Sequence, residues 1–319
     1  MNCRICGNEK DNKPYTGKDV WAGSDELFDY FQCAQCGCLQ IVEYPENIAD
    51  YYPDNYYSFQ VARKQSALYK ALINRRNHYA VFRSGFLGRL LFERYPTNLY
   101  NSLLSLDLHK DSKILDVGCG DGSFMNSLHD IGFTNLLGVD PFLVKEFSIG
   151  DELKIRKQDI YDLDGEFDFI ILKGTFEHQP HPQKLLSAIN RLLRPGGRSV
   201  IRIPVVSSYA WEHYKEDWVQ FDAPRHFYLH SEESMRILVE QANMELVRST
   251  YDSDALQFIG SEQLRKNIAL NDPRSYLVNP EESIFTDKEI SAFRQRVQEL
   301  DEKRQGDVVI FEVKKAAAA

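Results

Sequence analysis

The sequence has no uninterrupted apolar run of the roughly 18 to 20 residues that a membrane-spanning helix requires, although 43% of its 319 residues are hydrophobic. Its start, Met1-Asn2-Cys3-Arg4, also lacks the apolar stretch of a secretion signal. We therefore expect a cytoplasmic protein, for which peripheral membrane contact stays open. The sequence does not indicate an oligomeric state.

Basic residues are in the minority, with 38 Lys and Arg against 47 Asp and Glu and a formal net charge of −9. Because phosphate contacts need a basic surface, this balance disfavours nucleic acid as a partner. The segment 60–98 departs from it, with eight basic residues between Arg63 and Arg94 and one acid, Glu93. It is interpreted either as a solvated helix face or as a site for phosphates or anionic headgroups.

Four of the six cysteines form two pairs, Cys3-x-x-Cys6 and Cys33-x-x-Cys36, and a glycine follows each pair. Two-residue spacing aims both thiolates of a pair at one ion, and four thiolates make a closed tetrahedral site. A disulfide framework is the weaker alternative in a reducing compartment. We predict a zinc ribbon module over residues 1–58, with a structural Zn²⁺ held by Cys3, Cys6, Cys33 and Cys36.

A helical connector is expected next, because leucines recur near helical spacing between residues 66 and 108. The breaks at Ser84-Gly85 and Pro96 divide it into two or three helices. We assign residues 59–110 to this basic connector or lid, whose role is open. The four alanines at 316–319 are interpreted as a cloning scar and left out of the fold.

The strongest pattern is an apolar strand that enters the glycine-rich turn Asp116-Val117-Gly118-Cys119-Gly120-Asp121-Gly122. Glycines let the backbone approach a ligand closely and place a helix N-terminus against it. A second apolar run ends in Asp140, whose carboxylate can accept hydrogen bonds from both ribose hydroxyls of a nucleoside. Asp159, at the end of a third strand, can accept an adenine amino proton. These cues favour a nucleoside cofactor.

Two nucleotide-binding motifs are missing, and their absence limits which nucleoside cofactor the turn can bind. A phosphate-binding loop requires Gly-Lys-Ser/Thr, which is absent, and the dinucleotide fingerprint has its last glycine one residue later than Gly122. S-adenosylmethionine carries no pyrophosphate, so a short glycine turn preceded by an acid suits its zwitterionic tail. Further strands at 167–172 and 199–204 alternate with helices and predict a doubly wound parallel sheet.

The glycine turn, together with Arg194-Pro195-Gly196-Gly197, resembles the class I S-adenosylmethionine-dependent methyltransferases over residues 111–313. The resemblance implies an α/β, Rossmann-like domain over 111–315, with a doubly wound seven-stranded sheet that ends in a reversed strand. Its last strands are expected at 244–250 and 307–313, around an insertion at 254–306 that either caps the site or is an elaboration. It also implies that S-adenosylmethionine is contacted by Asp116, Gly118, Gly120, Asp140, Asp159 and Ile160. Lys173, at the end of the fourth strand, is expected to bind the cofactor at the edge of the sulfonium pocket.

Candidate catalytic residues lie beyond the fourth and fifth strands, where an open sheet builds its substrate pocket and where five of the eight histidines fall. His226 is the first candidate base for a hydroxyl acceptor, with a purely structural role as its alternative. Glu177 and His178 are the next candidates, with support of the cofactor loop as the alternative. A further alternative is that Glu177, His178, Asp222 and His226 hold a divalent ion.

The order of a four-cysteine ribbon and a methyltransferase domain resembles deoxysugar C-methyltransferases and related enzymes of surface polysaccharide or antibiotic synthesis. Those C-methyltransferases carry an additional C-terminal domain that this sequence does not show. We therefore expect O-methylation of a small-molecule or glycan-like acceptor, free, nucleotide-linked or lipid-linked. The alternatives are a deoxysugar C-methyltransferase, an RNA methyltransferase similar to certain ribosomal RNA guanine methyltransferases, and a noncatalytic cofactor-binding scaffold.

Overall fold

The computed structural model of the chain describes residues 1–23, 26–52, 66–97, 99–100, 103 and 108–316. Part of the basic segment, including Arg63 and Lys64, lies outside the described residues, as do the tyrosine-rich stretch after Tyr52 and the last three alanines. Within the described ranges, no helix is long and apolar enough to cross a membrane.

Twelve strands form two sheets in the described residues. In chain order they are β1 (Lys13–Lys18), β2 (Leu27–Gln32), β3 (Leu39–Ile41), β4 (Ile114–Val117), β5 (Leu136–Val139), β6 (Phe147–Ile149), β7 (Leu153–Arg156), β8 (Phe167–Lys173), β9 (Leu193–Pro204), β10 (Tyr228–Leu229), β11 (Met244–Tyr251) and β12 (Val308–Lys315).

The α-helices accompany these strands and are joined by short 3₁₀ turns. They are α1 (Ala67–Phe82), α2 (Phe86–Arg94), α3 (Ser123–Asp130), α4 (Pro182–Leu192), α5 (Tyr209–Tyr214), α6 (Glu232–Gln241), α7 (Leu256–Leu264) and α8 (Asp287–Glu302).

The large sheet has the strand order β11-β12-β9-β8-β4-β5-β7-β6. Strands β4, β5, β7, β8 and β9 are parallel, and β12 is antiparallel to both of its neighbours. The predicted Rossmann-like fold with a reversed strand near its end is confirmed. An eighth strand, β6, was not expected, because its three residues at the sheet edge are too few to show a period.

Central strands of this sheet are buried on both faces, as the apolar run in β8 predicts. Phe169, Ile170, Ile171 and Leu172 have no solvent exposure, because helices cover both sides of a parallel sheet. All the parallel strands end at one edge, so the loops after β4, β5, β7, β8 and β9 come together there. The candidate site lies on those loops.

The second sheet combines the N-terminal segment with a strand from much later in the chain. Its order is β1-β2-β3-β10, and β10 pairs with β3 antiparallel. Residues of both parts belong to one apolar core, where Tyr15 packs on Trp211 at 4.9 Å and Tyr30 on Phe221 at 4.7 Å between ring centroids. The small sheet is therefore completed by β10, in the segment between β9 and α6.

The connector forms the hairpin of α1 and α2, which lies beside α3. Lys70 pairs with Asp130 at 2.7 Å, and Phe82 packs on Phe133 at 5.4 Å. The insertion after β11 contributes α7 and α8. Its backbone reaches the N-terminal segment, where the amide of Leu270 donates to the carbonyl of Val20 at 3.0 Å.

Candidate active site

The glycine turn between β4 and α3 depends on backbone conformations that favour glycine. Gly118 and Gly120 have φ of +73° and +53°, values that other residues adopt at a cost of about 1–2 kcal/mol. A Cβ on Gly118 would lie 2.4 Å from Oγ1 of Thr175, whereas one on Gly120 would meet nothing within 4 Å. Gly118 thus packs against the turn after β8, and Gly120 leaves open space for a ligand to approach.

Asp140, at the end of β5, is connected to the same turn. Its carboxylate accepts a hydrogen bond from the amide of Gly120 at 3.1 Å and another from the amide of Phe142 at 2.8 Å. The predicted ribose-binding residue therefore lies directly against the glycine turn. Its contact with a ribose remains a prediction.

Asp116 is a buried carboxylate at this edge, with 3% of the residue exposed. Burial raises its pKa to about 7, and the nearby Lys173 opposes that rise. The Lys173 ammonium lies 5.6 Å from the centroid of the Phe124 ring, the second residue of α3. A buried carboxylate gains most from a bound cation, and the ammonium of an amino-acid tail supplies one. These residues fit S-adenosylmethionine.

Asp159 and Ile160 follow β7 on the adjacent loop. The Asp159 carboxylate accepts from the amide of Tyr161 at 3.1 Å and caps the 3₁₀ turn Ile160–Asp162. Ile160 is 5% exposed. The capping bond fixes the loop that the sequence predicts for the adenine, and the adenine contact itself stays a prediction.

The three candidate catalytic residues come together at the same edge of the sheet, where the turn after β8 meets the loop before β10. Glu177 and His178 lie in the 3₁₀ turn Phe176–His178 after β8, and His226 precedes β10. One possible ligand atom from each of the three lies within 4.8 Å of the others. The imidazole rings of His178 and His226 have centroids 4.7 Å apart. We refer to these three residues as the Glu-His-His cluster.

Hydrogen bonds to main-chain carbonyls orient both imidazoles. Nδ1 of His178 is 2.9 Å from the carbonyl oxygen of Arg225 and 3.1 Å from the Tyr52 hydroxyl. Nδ1 of His226 is 2.7 Å from the carbonyl oxygen of Gln220. A carbonyl only accepts, so Nδ1 carries the proton in each ring. Burial lowers the pKa of both histidines, which favours their neutral forms, and it raises the pKa of Glu177.

Buried ion pairs hold the loop that precedes β10 and carries His226. The fully buried Arg225 donates to Asp222 through Nε at 3.0 Å and to Asp19 through Nη2 at 2.7 Å. Burial would raise the pKa of Asp222, but Arg225 and the histidines lower it overall. The other Asp222 oxygen lies 3.8 Å from Nε2 of His226. Sequence reasoning missed Asp19, because nothing local in its segment distinguishes it from a surface acid.

The N-terminal sheet fixes the same loop from a second side. Tyr30 on β2 donates its hydroxyl proton to the carbonyl of His226 at 3.0 Å, and the amide of Ile41 donates to the carbonyl of Phe227 at 3.0 Å. Ser231 donates its hydroxyl proton to the carbonyl of Cys36. The amide of Phe227 donates in turn to the carbonyl of Glu177 at 2.9 Å. The loop therefore connects the cysteine-bearing sheet to the Glu-His-His cluster.

The other histidines after β8 and β9 serve other contacts. His181 is exposed at the start of α4, and His213 is exposed, stacks on Tyr209 and lies beside Arg265. His230 is fully buried, with Nδ1 3.2 Å from the Ser234 hydroxyl. Only His178 and His226 of the five belong to the cluster.

The four paired cysteines also come together. The Sγ atoms of Cys3 and Cys36 are 3.6 Å apart, those of Cys6 and Cys33 are 3.5 Å apart, and all four lie within 4.8 Å of one another. None of the six cysteines forms a disulfide. Four converging thiols fit a tetrahedral metal ion. The hydrogen bond with Cys36 and one from Nε2 of Gln40 at 3.2 Å lower the pKa of Cys3, which favours its thiolate.

The family described as methyltransferase domain matches residues 87–249, about half of the chain. The match covers the glycine turn, β8 and the Glu-His-His cluster. The chain therefore belongs to this methyltransferase family.

Curated relatives are similar over shorter stretches. A tRNA U34 carboxymethyltransferase of Cellvibrio japonicus is 31% identical over 31% of this chain and 34% of its own length. A ubiquinone biosynthesis O-methyltransferase of Xanthomonas oryzae is 33% identical over 32% and 47%, and EEF1A lysine methyltransferase 4 of Mus musculus is 28% identical over 37% and 57%. The chain thus spans between about a third and just over half of these relatives.

Among solved structures, the chain is similar to the 1,6-didemethyltoxoflavin-N1-methyltransferase of Burkholderia thailandensis, solved with S-adenosylhomocysteine. The TM-score is 0.42 and the sequence identity 16%, over 81% of this chain and 94% of that one.

Proposed function

We propose that this protein transfers the methyl group of S-adenosylmethionine to a hydroxyl of a sugar or glycan-like acceptor. One observation carries the proposal: the Glu-His-His cluster begins within two residues of Thr175, against which the glycine turn packs. The candidate groups for acceptor activation and the candidate cofactor loop are therefore neighbours at one sheet edge. In-line methyl transfer requires such positioning above all.

On the cofactor side, each acid has a distinct proposed partner. Asp116 binds the ammonium of the amino-acid tail, Asp140 the ribose hydroxyls, and Asp159 with Ile160 the adenine. Lys173 and the glycines at 118 and 120 complete the site. S-adenosylmethionine supplies a methyl group on a sulfonium, and the chain's residues hold that group towards the acceptor.

On the acceptor side, we propose that His226 activates the hydroxyl. Because Nδ1 holds its proton against the carbonyl of Gln220, Nε2 is the nitrogen that can accept one. The acceptor oxygen forms its bond to the methyl carbon as the carbon–sulfur bond breaks, and its proton passes to Nε2. Asp222, 3.8 Å away, stabilises the imidazolium that results. His178 and Glu177 position this group.

In the N-terminal segment, we propose that Cys3, Cys6, Cys33 and Cys36 hold a structural Zn²⁺ in the module at 1–58. The helices of the connector at 59–110 and the insertion at 254–306 complete the proposed domain organisation around the main domain at 111–315. A glycan acceptor rests on the resemblance of this architecture to sugar-modifying enzymes. The net charge of −9 counts against RNA.

A methyl-transfer assay tests the proposal by measuring S-adenosylhomocysteine formation with nucleotide sugars, polysaccharide repeat units, quinol precursors, RNA and lysine peptides. Turnover with a sugar that falls at least 100-fold in His226→Gln, and not in the exposed control His181→Gln, supports it. Turnover only with RNA or a lysine peptide would refute the acceptor class. Cofactor binding without turnover on any acceptor would favour the noncatalytic scaffold.

A further inference from the structure

The Glu-His-His cluster has the composition of a metal site as well as that of a proton-transfer site. Its donors are one carboxylate and two imidazoles, and the described ligand atoms lie within 4.8 Å of one another. Two histidines with one carboxylate are a frequent ligand set for divalent transition metals, and they leave coordination positions open. None of the four paired cysteines belongs to this group.

Both imidazoles are held in the orientation that metal ligands adopt. A ligating histidine commonly donates its other ring N–H to a carbonyl or carboxylate, which fixes the ring and its tautomer. Here Nδ1 of His178 faces the carbonyl of Arg225, and Nδ1 of His226 faces the carbonyl of Gln220. The Nε2 atoms are consequently unprotonated and available as ligands.

Glu177 provides an independent indication. The residue is 2% exposed, and its Oε2 atom is buried without a hydrogen-bond partner among the described residues. A buried carboxylate oxygen left unpaired is costly, and such an atom calls for an explanation such as an ion. Glu177 belongs to the same cluster as the two oriented imidazoles.

We propose that Glu177, His178 and His226 bind one divalent transition-metal ion, which coordinates the acceptor hydroxyl. The proposal that the ion binds is independent of the proposed function. The proposed role of the ion in catalysis rests on the proposed function. The bound ion lowers the pKa of the coordinated hydroxyl, whose proton leaves to solvent. The alkoxide oxygen then bonds to the methyl carbon, and the electron pair of the broken carbon–sulfur bond stays on sulfur. Nε2 of His226 is then a ligand, and the ion replaces it as the activating group.

Manganese distinguishes this site from the four-thiolate site, because Mn²⁺ prefers oxygen and nitrogen ligands over thiolates. The full chain, loaded with zinc, is titrated with Mn²⁺ alone while the signal of free Mn²⁺ is followed by electron paramagnetic resonance. We expect one Mn²⁺ per chain. In Glu177→Gln and His178→Gln the affinity should fall at least tenfold, and the control His181→Gln should match the unaltered chain.

Folding is checked in the same variants by the affinity for S-adenosylhomocysteine, which should stay within about threefold because the glycine turn is unchanged. Wild-type protein that binds no Mn²⁺ at millimolar concentration, or equal affinity in Glu177→Gln, would overturn the inference. Chelator-resistant sugar methylation together with absent Mn²⁺ binding would leave His226 as the direct base. Mn²⁺ binding without methylation of any acceptor would uphold the ion and refute the proposed function.

Discussion

The proposed cofactor side and the proposed acceptor side of the sheet edge are built in opposite ways. The residues that fit the cofactor come from one continuous stretch from β4 to β8, and they lie in or directly after β4, β5, β7 and β8. The acceptor side draws on the N-terminal sheet, the turn after β8 and the loop before β10, and the Arg225–Asp19 pair joins residues 206 positions apart. The first side depends on local backbone geometry and the second on long-range closure.

Removal of the proposed zinc should give the largest effect and separate the two sides. Cys33→Ser should lose the metal and lower the free energy of unfolding of the N-terminal sheet by several kcal/mol, since metal binding contributes to folding. Acceptor methylation should then disappear, while S-adenosylhomocysteine binding persists. Metal content, thermal unfolding, S-adenosylhomocysteine formation in the methyl-transfer assay and calorimetric titration measure these four properties. The control is Cys38→Ala, which leaves the four paired thiols intact; unchanged metal content in Cys33→Ser would contradict the site.

Gly118→Ala should damage chiefly the proposed cofactor side. The added Cβ would lie 2.4 Å from Oγ1 of Thr175 at a φ of +73°, so we expect about 100-fold weaker binding of S-adenosylhomocysteine, or about 2.7 kcal/mol. The matched control is Gly150→Ala, which also has positive φ but has nothing within 4 Å of its Cβ. Equal losses in both variants would point to backbone strain alone and not to the packing on Thr175.

The pH dependence of cofactor affinity should report Asp116. Its pKa is raised to about 7 by burial, and a cationic ligand favours the ionised carboxylate. Below pH 7 the proton must leave on binding, so affinity should fall about tenfold for each unit that pH decreases, and it should level off above pH 7. Calorimetric titration from pH 5.5 to 8.5 checks this. Asp116→Asn should flatten the curve, and an unchanged slope would assign the proton to another group.

Tyr30→Phe should have the smallest effect, confined to the acceptor side. It removes one hydrogen bond to the carbonyl of His226, worth about 1 kcal/mol, so turnover should fall roughly fivefold. The dissociation constant of S-adenosylhomocysteine should not change. Tyr15→Phe on β1 is the matched control, because Tyr15 is the cross-strand partner of Tyr30 and its ring packs on Trp211. Equal losses in both variants would show that the effect is one of general packing.

This difference explains what the sequence predicts well. The glycine turn can be predicted from the sequence because positive φ at Gly118 and Gly120 is a local requirement that few residues other than glycine meet. Asp140 is readable because an apolar run leads directly into it. The two cysteine pairs are readable because their spacing is itself the geometry of a metal site. The alternating order of strands and helices then predicts a parallel sheet, in which the carboxyl ends of the strands lie at one edge.

The proposed acceptor side is harder to predict from the sequence because the residues that contact one another there are far apart in the chain. The sequence names Glu177, His178 and His226 but cannot show that His181 and His213 point elsewhere. It gives no sign that Tyr30 and Asp19 hold the loop, since a lone tyrosine and a lone aspartate look like ordinary strand and turn residues. The edge strand β6 of the large sheet and the pairing of β10 with β3 also depend on tertiary contacts, because short strands carry little pattern.

The two-residue strand β10 also determines when the N-terminal sheet can be completed during synthesis. Ser231 and Cys36, which it brings together, are 195 positions apart. At about 5–20 residues per second, a ribosome needs on the order of ten to forty seconds to make that length. Through this interval the edge of β3 is uncovered, and open edges invite pairing with other chains. The proposed zinc, if bound early, would constrain the N-terminal segment before β10 is synthesised.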